Sequence, residues 1–154
     1  MQTTLIKPTL KDTVCTRPGV RMSFRLTAQE TNNALSVIDV RITPGGEPPR
    51  HVHEREDETN IIHDGTITYF IGDDIINAKK GDIVFMPRGV PHHFVVTSPT
   101  AHCTLIATPG GIEEFFKEIS LSFEQQGVPV TGKPSDEEIK KLLACSAKFG
   151  MRFV

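Results

Sequence analysis

The sequence has no tryptophan, a single tyrosine and only three cysteines among its 154 residues. Cys15, Cys103 and Cys145 lie far apart and show none of the close spacings of a zinc ligand set, which predicts reduced thiols rather than a disulfide framework. The sequence also lacks an apolar run long enough to span a bilayer, and its first residues contain no apolar stretch of secretory length. We therefore expect a cytoplasmic protein that does not bind a membrane.

Neither sign of charge dominates, because 17 Lys and Arg residues stand against 19 Asp and Glu residues and give a formal net charge of -2. No segment concentrates basic residues with aromatic residues between them, so we expect no nucleic-acid partner. The chain is long enough for one hydrophobic core, and we expect residues 1–154 to form one soluble domain. Its 12 glycines and 11 prolines favour turns over long helices.

From residue 21 to residue 107 the apolar residues alternate with polar ones or form short runs between turns. This pattern predicts strands at 21–27, 34–43, 58–63, 66–71, 83–86, 92–97 and 102–108. Asp64 and Gly65, between two of these strands, predict a two-residue hairpin turn. Regularly spaced short strands without helical segments between them indicate an all-β, antiparallel sandwich or barrel over about residues 20–109.

Residues 112–150 show a helical period instead, and we expect a C-terminal extension of two helices there. The first helix should end near Gly127, and its apolar stripe consists of Ile112, Phe115, Phe116, Ile119 and Phe123. A capping box at 135–138 begins the second helix and Gly150 ends it. The apolar face of the second helix consists of Ile139, Leu142, Leu143 and Ala147. The phenylalanine-rich stripe favours a helix packed on the outside of the barrel, with a ligand groove as the alternative.

Four of the six histidines lie in two short stretches of the predicted barrel. In the first stretch His51 and His53 are two residues apart, so both imidazoles point to the same side of an extended segment. Glu58 is an odd number of residues after His53, so on an unbroken strand its side chain would point to the opposite side. The chain must therefore turn between His53 and Glu58 if Glu58 is to join the two histidines. In the second stretch a loop rich in proline and glycine delivers His92 to the start of a strand.

Three imidazoles and one carboxylate from these stretches form a ligand set of intermediate softness. Such a set suits one divalent transition metal, namely Fe, Mn, Ni, Cu, Co or Zn, rather than Ca or Mg. Four protein ligands leave coordination positions open on a metal that prefers five or six. The two stretches therefore predict a metal site with room for water, O2 or a substrate.

The two stretches resemble the two motifs of the cupin superfamily. The first motif is matched by Gly45, His51, His53, Glu58 and Gly65, and the second by Gly81, Pro87, Gly89 and His92, with Val96 where asparagine is common. The resemblance covers about residues 34–109 and implies a double-stranded jelly-roll barrel. It also implies the metal ligands His51, His53, Glu58 and His92.

The segments 48–58, 108–118 and 148–150 are similar to the small single-domain bacterial cupins described as quercetin 2,3-dioxygenase-like. A homodimer is a further implication of this resemblance. The strand at 21–27 could form the dimer interface by pairing of sheet edges.

The resemblance and the ligand set lead us to expect a metal-dependent oxidoreductase, a dioxygenase that acts on a small organic molecule inside the barrel. Glu58 would remain a metal ligand throughout or act as a catalytic base toward the substrate. A metal-dependent isomerase or lyase, which polarises a carbonyl without O2, is one alternative. A non-catalytic cupin that binds a small molecule is another, and the fold alone does not decide among them.

The cavity wall is expected to be mostly apolar with one polar group. It would consist of Ile38, Val40, Ile42, Asn60, Ile62, Phe94 and Val96. Asn60 stands where similar cupins usually have an aromatic residue, and its amide either hydrogen-bonds a bound oxygen or completes an internal network. We expect His63 to point away from the cavity and, like His93 and His102, to be structural or interfacial. Tyr69 is expected to serve packing.

Overall fold

The computed structural model describes residues 13–17, 19–120 and 136–154 of the chain. Within these residues the strands are β1 (Thr13–Arg17), β2 (Val20–Leu26), β3 (Ser36–Ile42), β4 (His51–His53), β5 (Asp57–Asp64), β6 (Thr66–Ile71), β7 (Asp74–Lys79), β8 (Ile83–Met86), β9 (His92–Val96), β10 (Ala101–Thr108) and β11 (Met151–Phe153). The helices are α1 (Ala28–Thr31), α2 (Ile112–Ile119) and α3 (Asp136–Lys148). No helix in these ranges has both the length and the apolar character needed to cross a bilayer.

The strands pair into two antiparallel sheets around one core. The first sheet has six strands in the order β1-β2-β3-β10-β5-β8, and the second has five in the order β11-β4-β9-β6-β7. Side chains from both sheets, such as Ile38 of β3 and Tyr69 of β6, are 0% exposed and belong to the same hydrophobic cluster. The all-β jelly-roll fold with C-terminal helices is therefore confirmed.

Strand β3 shows why the alternating pattern identifies these strands. Ile38, Val40 and Ile42 are buried, whereas Arg41 is exposed. Successive side chains of a strand point to opposite faces, so every second residue is buried against the core. Two of the predicted strands coincide with β6 and β8, and the other five differ from the observed strands by no more than two residues at either end.

The structure adds four strands that the sequence pattern does not predict, namely β1, β4, β7 and β11. β7 is an outer strand of the five-stranded sheet, and all its side chains except that of Ala78 are exposed, so it lacks the alternation that identifies a strand. β4 and β11 have 3 residues each, which is too short for a periodic signal. β11 nevertheless pairs with β4 and returns the chain from the helices to the five-stranded sheet.

The hairpin predicted at Asp64 and Gly65 is wrong. β5 and β6 on either side of these residues belong to different sheets, so the chain passes from one sheet to the other there. Gly65 has a φ of +80°, and a Cβ on it would lie 2.3 Å from the carbonyl oxygen of Thr100, so only glycine fits this corner. The two-residue hairpin lies between β6 and β7 instead, at Gly72 and Asp73.

The dimer interface expected at 21–27 cannot form by pairing of sheet edges. β2, which occupies this stretch, pairs with β1 on one side and with β3 on the other. Its backbone hydrogen bonds are therefore made within the chain, and it has no free edge for a second copy.

The two expected C-terminal helices are present as α2 and α3. In α2, Ile112 and Phe115 are buried and Phe116 is half-buried, as the predicted stripe requires. The predicted end near Gly127 is wrong, because α2 ends at Ile119 and Ser120 is already extended. Phe123 and the start of the capping box at Ser135 lie outside the described residues.

The predicted apolar face of α3 is confirmed only at Leu142, which packs against the core. Ile139 and Leu143 are 40% and 48% exposed and Ala147 is also exposed, whereas Cys145 and Ser146 are buried among the side chains of this helix that the structure describes. The serine hydroxyl donates a hydrogen bond to the carbonyl oxygen of Leu142 at 2.7 Å. Because its polar group is satisfied within the helix, a serine occupies a buried position that the hydropathy pattern marks as polar.

A buried carboxylate attaches α2 to the six-stranded sheet. Glu113 of α2 is 1% exposed and accepts hydrogen bonds from the N–H of Ala28 at 2.6 Å, from the N–H of Gly111 at 3.1 Å and from the hydroxyl of Ser36. Ala28 begins α1, and Ser36 begins β3. One side chain therefore fixes α2 relative to two elements of the barrel.

Candidate metal centre

The structure brings the four predicted ligand residues together inside the barrel. His51 and His53 lie on β4, and His92 lies on the neighbouring β9 of the five-stranded sheet, whereas Glu58 lies on β5 of the six-stranded sheet. Their ligand atoms all lie within 4.8 Å of one another, and all four residues are buried. The chain turns between β4 and β5, as the parity of Glu58 requires.

Two of the imidazoles are oriented by backbone carbonyl groups. His51 donates from Nδ1 to the carbonyl oxygen of Pro49 at 2.9 Å, and His92 donates from Nδ1 to that of Val90 at 3.0 Å. A carbonyl oxygen only accepts hydrogen bonds, so Nδ1 carries the proton in both rings. The lone pair of each ring is then on Nε2, which is the atom that points into the cluster.

His53 lies beside a carboxylate instead. Its Nδ1 lies 3.5 Å from Oε2 of Glu56, a residue that is only 7% exposed. A carboxylate behind an imidazole strengthens it as a metal ligand. Sequence reasoning did not single out Glu56, although its place three residues after His53, in the turn toward Glu58, was an available signal.

The inward atoms of the cluster fit a divalent metal. The Nε2 atoms of His51 and His53 are 3.0 Å apart, and Glu58 places its two oxygens 3.7 Å from Nε2 of His53 and 3.4 Å from Nε2 of His92. Two nitrogens that bind one metal at about 2.1 Å and at a right angle lie about 3.0 Å apart. Nε2 of His92 is buried and makes no hydrogen bond within the described structure. A cation between these atoms would satisfy lone pairs that otherwise repel each other.

Burial and mutual charge shift the pKa values of the cluster. Burial lowers the pKa of His51 to about 4 despite the opposing charge of Glu58. Burial also disfavours protonation of His53, but Glu58 and Glu56 outweigh it and raise its pKa. For Glu58, burial acts to raise the pKa, but His53, His92 and His51 outweigh it and lower the value to about 2. At neutral pH Glu58 is ionised and His51 is neutral, which are the protonation states that metal binding requires.

A cavity of about 140 Å³ lies next to the cluster. All four ligand residues contribute to its lining, and most of the other lining residues are apolar. The C-terminal elements α2, α3 and β11 contribute Phe115, Phe116, Ile119, Leu142, Met151 and Phe153. The favoured interpretation of the phenylalanine-rich stripe, a helix packed on the outside of the barrel, is therefore incomplete, because Phe115, Phe116 and Ile119 also form part of the cavity wall.

Of the seven residues predicted for the cavity wall, the structure places four there. Val40, Ile42, Asn60 and Phe94 line the cavity. The other three are Ile38, Ile62 and Val96, which are 0%, 1% and 4% exposed and belong to the packed core. The alternation along a strand shows which side chains point into the barrel. It does not show which of them border the cavity, because other inward side chains pack against each other in layers.

The polar position Asn60 is linked to Tyr69. Asn60 is 3% exposed, and its Nδ2 donates a hydrogen bond to the hydroxyl oxygen of Tyr69 at 3.0 Å. Its Oδ1 is buried and has no hydrogen-bond partner among the described residues. Tyr69 also lines the cavity, and burial raises the pKa of its phenol, so the hydroxyl stays protonated at neutral pH. The alternation Ile67, Tyr69 and Ile71 in β6 was the signal that could have placed this tyrosine on the inner face.

The remaining histidines of the barrel make contacts away from the cluster. His63 forms a hydrogen bond with the hydroxyl of Thr104 at 2.7 Å, and His102 forms one with the carboxylate of Asp39 at 2.7 Å. His93 stacks on the ring of Phe70 with a centroid distance of 4.5 Å. None of these three histidines is among the described residues that line the cavity.

Comparison with known proteins agrees with this geometry. Residues 38–109 match the family model described as Cupin domain. KdgF from Halomonas sp. is similar in structure at 18% identity, with a TM-score of 0.60 over 67% of this chain and 92% of that chain. Oxalate decarboxylase from Bacillus subtilis, a protein with Mn(II) centres, is similar at 23% identity, with a TM-score of 0.62 over 74% of this chain and 32% of that chain.

A third similar structure is Pac13 from Streptomyces, described as a nucleoside dehydratase. It shares 16% identity and has a TM-score of 0.58, and the match covers 72% of this chain and 88% of that chain. No curated protein sequence matches the chain significantly. The Cupin domain match, the two-sheet fold and the buried histidine and glutamate cluster show together that this chain belongs to the cupin superfamily.

Proposed function

We propose that this cupin is a metal-dependent oxidoreductase, a dioxygenase that acts on a small organic substrate held in the cavity. The observation that carries the proposal is the convergence of three imidazoles and the Glu58 carboxylate on the wall of an otherwise mostly apolar cavity. One divalent transition metal held by His51, His53, Glu58 and His92 supplies Lewis-acid and redox chemistry there.

The residues around the cluster have distinct roles in the proposed reaction. Glu58 is the only carboxylate among the described residues that line the cavity, so it is the group placed to accept a proton from the substrate. Its low pKa makes it a weak base, so it suits a substrate hydroxyl that is already acidic, such as that of an enol or a catechol. Val40, Ile42 and Phe94 would contact the apolar body of the substrate and exclude water from it.

A metal-dependent lyase or isomerase is the second candidate. Two of the similar structures bear names of lyase type, a decarboxylase and a dehydratase. In such a reaction Glu58 would take a proton, and the hydroxyl of Tyr69, which stays protonated at neutral pH, would be able to donate a hydrogen bond to a substrate oxygen.

An oxygen-uptake assay separates these reactions. The protein is purified without added metal, its metal content is measured by elemental analysis, and catechols, diketones, flavonols and thiols are supplied one at a time. We expect about one metal per chain and loss of a substrate together with O2. The variant His92→Ala, which lacks one ligand, should show neither.

The other outcomes of this assay are equally informative. Loss of a substrate without O2 uptake would replace the dioxygenase by the lyase or isomerase. Metal-dependent binding without conversion of any compound would indicate the non-catalytic cupin. A protein that retains none of the six candidate metals after reconstitution would refute the metal centre itself.

A further inference from the structure

We propose that the substrate is a molecule of about one ring that carries a pair of metal-binding oxygens and an uncharged, apolar remainder, and that Phe116 of α2 limits its length. This inference rests on the proposed function, because it places the oxygen pair at the metal centre. It goes further by assigning the size and polarity of the rest of the substrate and the side chain that selects them.

The size limit follows from the volume of the cavity. The cavity measures about 140 Å³. A protein cavity of roughly 150 Å³ holds one benzene ring. A flavonol has three rings, so most of it would have to lie outside a cavity of this size. The space therefore suits a single ring or an aliphatic chain of similar volume.

The polarity limit follows from the lining. Apart from the ligand residues, the described lining contains only three side chains with polar atoms, namely Asn60, Tyr69 and Cys103. Burial raises the pKa of the Cys103 thiol to about 12, so this side chain is uncharged at neutral pH. No lysine or arginine is among the described lining residues. A charged group on the far side of the substrate would have no partner, and burying it would be unfavourable.

Phe116 is a large lining residue that lies between the cavity and solvent, and we assign the length limit to it. It lines the cavity and is only half-buried, so its ring is in contact with the cavity on one side and partly open to solvent on another. Its neighbour Phe115 is 4% exposed, and the two ring centroids are 5.5 Å apart. Glu113 holds α2 in place through its contacts with α1 and β3. The ring of Phe116 is therefore part of a fixed cover rather than of a mobile surface.

The test compares three catechols that carry the same pair of oxygens. 4-Methylcatechol has one ring, 4-phenylcatechol has two, and 3,4-dihydroxybenzoate carries a carboxylate. Their dissociation constants are measured by calorimetry under anaerobic conditions, with the metal-loaded protein and with the metal-free protein. We expect 4-methylcatechol to bind at least tenfold more tightly than either of the other two, and only when metal is present.

Variants identify the side chain that sets the limit. Phe116→Ala should improve the binding of 4-phenylcatechol at least tenfold and leave that of 4-methylcatechol within about threefold. Ile119→Ala, a second lining residue of α2, should act in the same direction and serves if Phe116→Ala does not fold. Phe85→Ala is the matched control, because Phe85 is 55% exposed on β8 and does not line the cavity.

Failure of this inference can be told from failure of the proposed function. Metal-dependent binding of 4-phenylcatechol as tight as that of 4-methylcatechol would overturn the size limit, and equally tight binding of 3,4-dihydroxybenzoate would overturn the polarity limit. Both results would leave the metal-anchored site intact. If no catechol binds the metal-loaded protein better than the metal-free protein, the oxygen pair and the proposed function are both overturned. An unchanged preference in both α2 variants would remove Phe116 from its assigned role.

Discussion

The buried carboxylate of Glu113 gives the sharpest stability prediction, because three donors bond to one side chain. Glu113→Ala removes an acceptor from the Ala28 N–H, the Gly111 N–H and the Ser36 hydroxyl. The Gly111 N–H keeps a second acceptor, the hydroxyl oxygen of Ser36 at 2.9 Å, and the serine hydroxyl can rotate toward another acceptor, so the loss at the Ala28 N–H dominates. A buried donor left without a partner costs about 1–3 kcal/mol. We expect the free energy of unfolding to fall by about 2 kcal/mol.

Urea unfolding of wild type and variant measures this difference directly. The same loss should lower the melting temperature by about 6 °C in a chain of this length. Glu114→Ala is the matched control on the neighbouring residue. The Glu114 carboxylate pairs with Lys117 at 2.7 Å, and the two side chains are 57% and 41% exposed. Such a pair contributes at most about 0.5 kcal/mol.

Metal content gives the second readout of the same experiment. Glu113 contacts no ligand residue in the described structure, so the folded fraction of Glu113→Ala should retain as much metal as wild type. If Glu113→Ala unfolds within about 1 kcal/mol of Glu114→Ala, the carboxylate does not fix α2, and the reasoning is refuted.

Three further predictions concern the cavity and the cluster. His92→Ala should lose metal while its melting temperature stays near that of metal-free wild type, since the strands keep their apolar faces; retention of metal in this variant would show that His92 is not a ligand. Metal affinity should fall as the pH drops, because protons compete for the imidazoles. The pKa of His53 is raised above its ordinary value of 6.5, whereas that of His51 is about 4, so the loss should begin above pH 6.5. A chelator titration with equal affinity at about pH 8 and about pH 5.5 would contradict histidine ligation. Asn60→Leu removes the hydrogen bond to Tyr69 and should lower stability by about 1 kcal/mol without loss of metal. If Asn60 also meets the substrate, the variant should in addition lose part of the thermal stabilisation that 4-methylcatechol gives wild type.

The metal ligands were accessible to sequence reasoning because parity is a strict property of extended chains. His51 and His53 must share a side, and Glu58 can join them only after a turn. The structure supplies that turn by sending the chain from one sheet to the other. The spacing of the ligands did not reveal the residue that lies next to His53. The position of Glu56 depends on the path of the turn between β4 and β5 and not on the alternation of side chains along a strand.

The extent of the cavity and the buried face of α3 could not be read from periodicity. Ile38 and Val40 point to the same face of β3, yet only Val40 lines the cavity. The sizes of the side chains that pack against each of them determine where empty space remains. In α3 the hydropathy pattern favours Leu143, but Ser146 is buried because its hydroxyl finds an acceptor in its own helix. In both cases contacts with residues distant in the sequence, or with the backbone of the same helix, determine burial more strongly than the hydropathy pattern does.

The pairing of β11 with β4 makes the metal centre depend on a strand that the ribosome synthesises much later than the ligands. β4 carries His51 and His53, and it shares a single residue pair with β9 but three pairs with β11. Until Met151–Phe153 leave the ribosome, the nascent chain has most of the barrel strands but lacks the main pairing partner of β4. We therefore expect metal to bind only after β11 has emerged, and a messenger truncated before the Met151 codon to yield chains that do not retain metal.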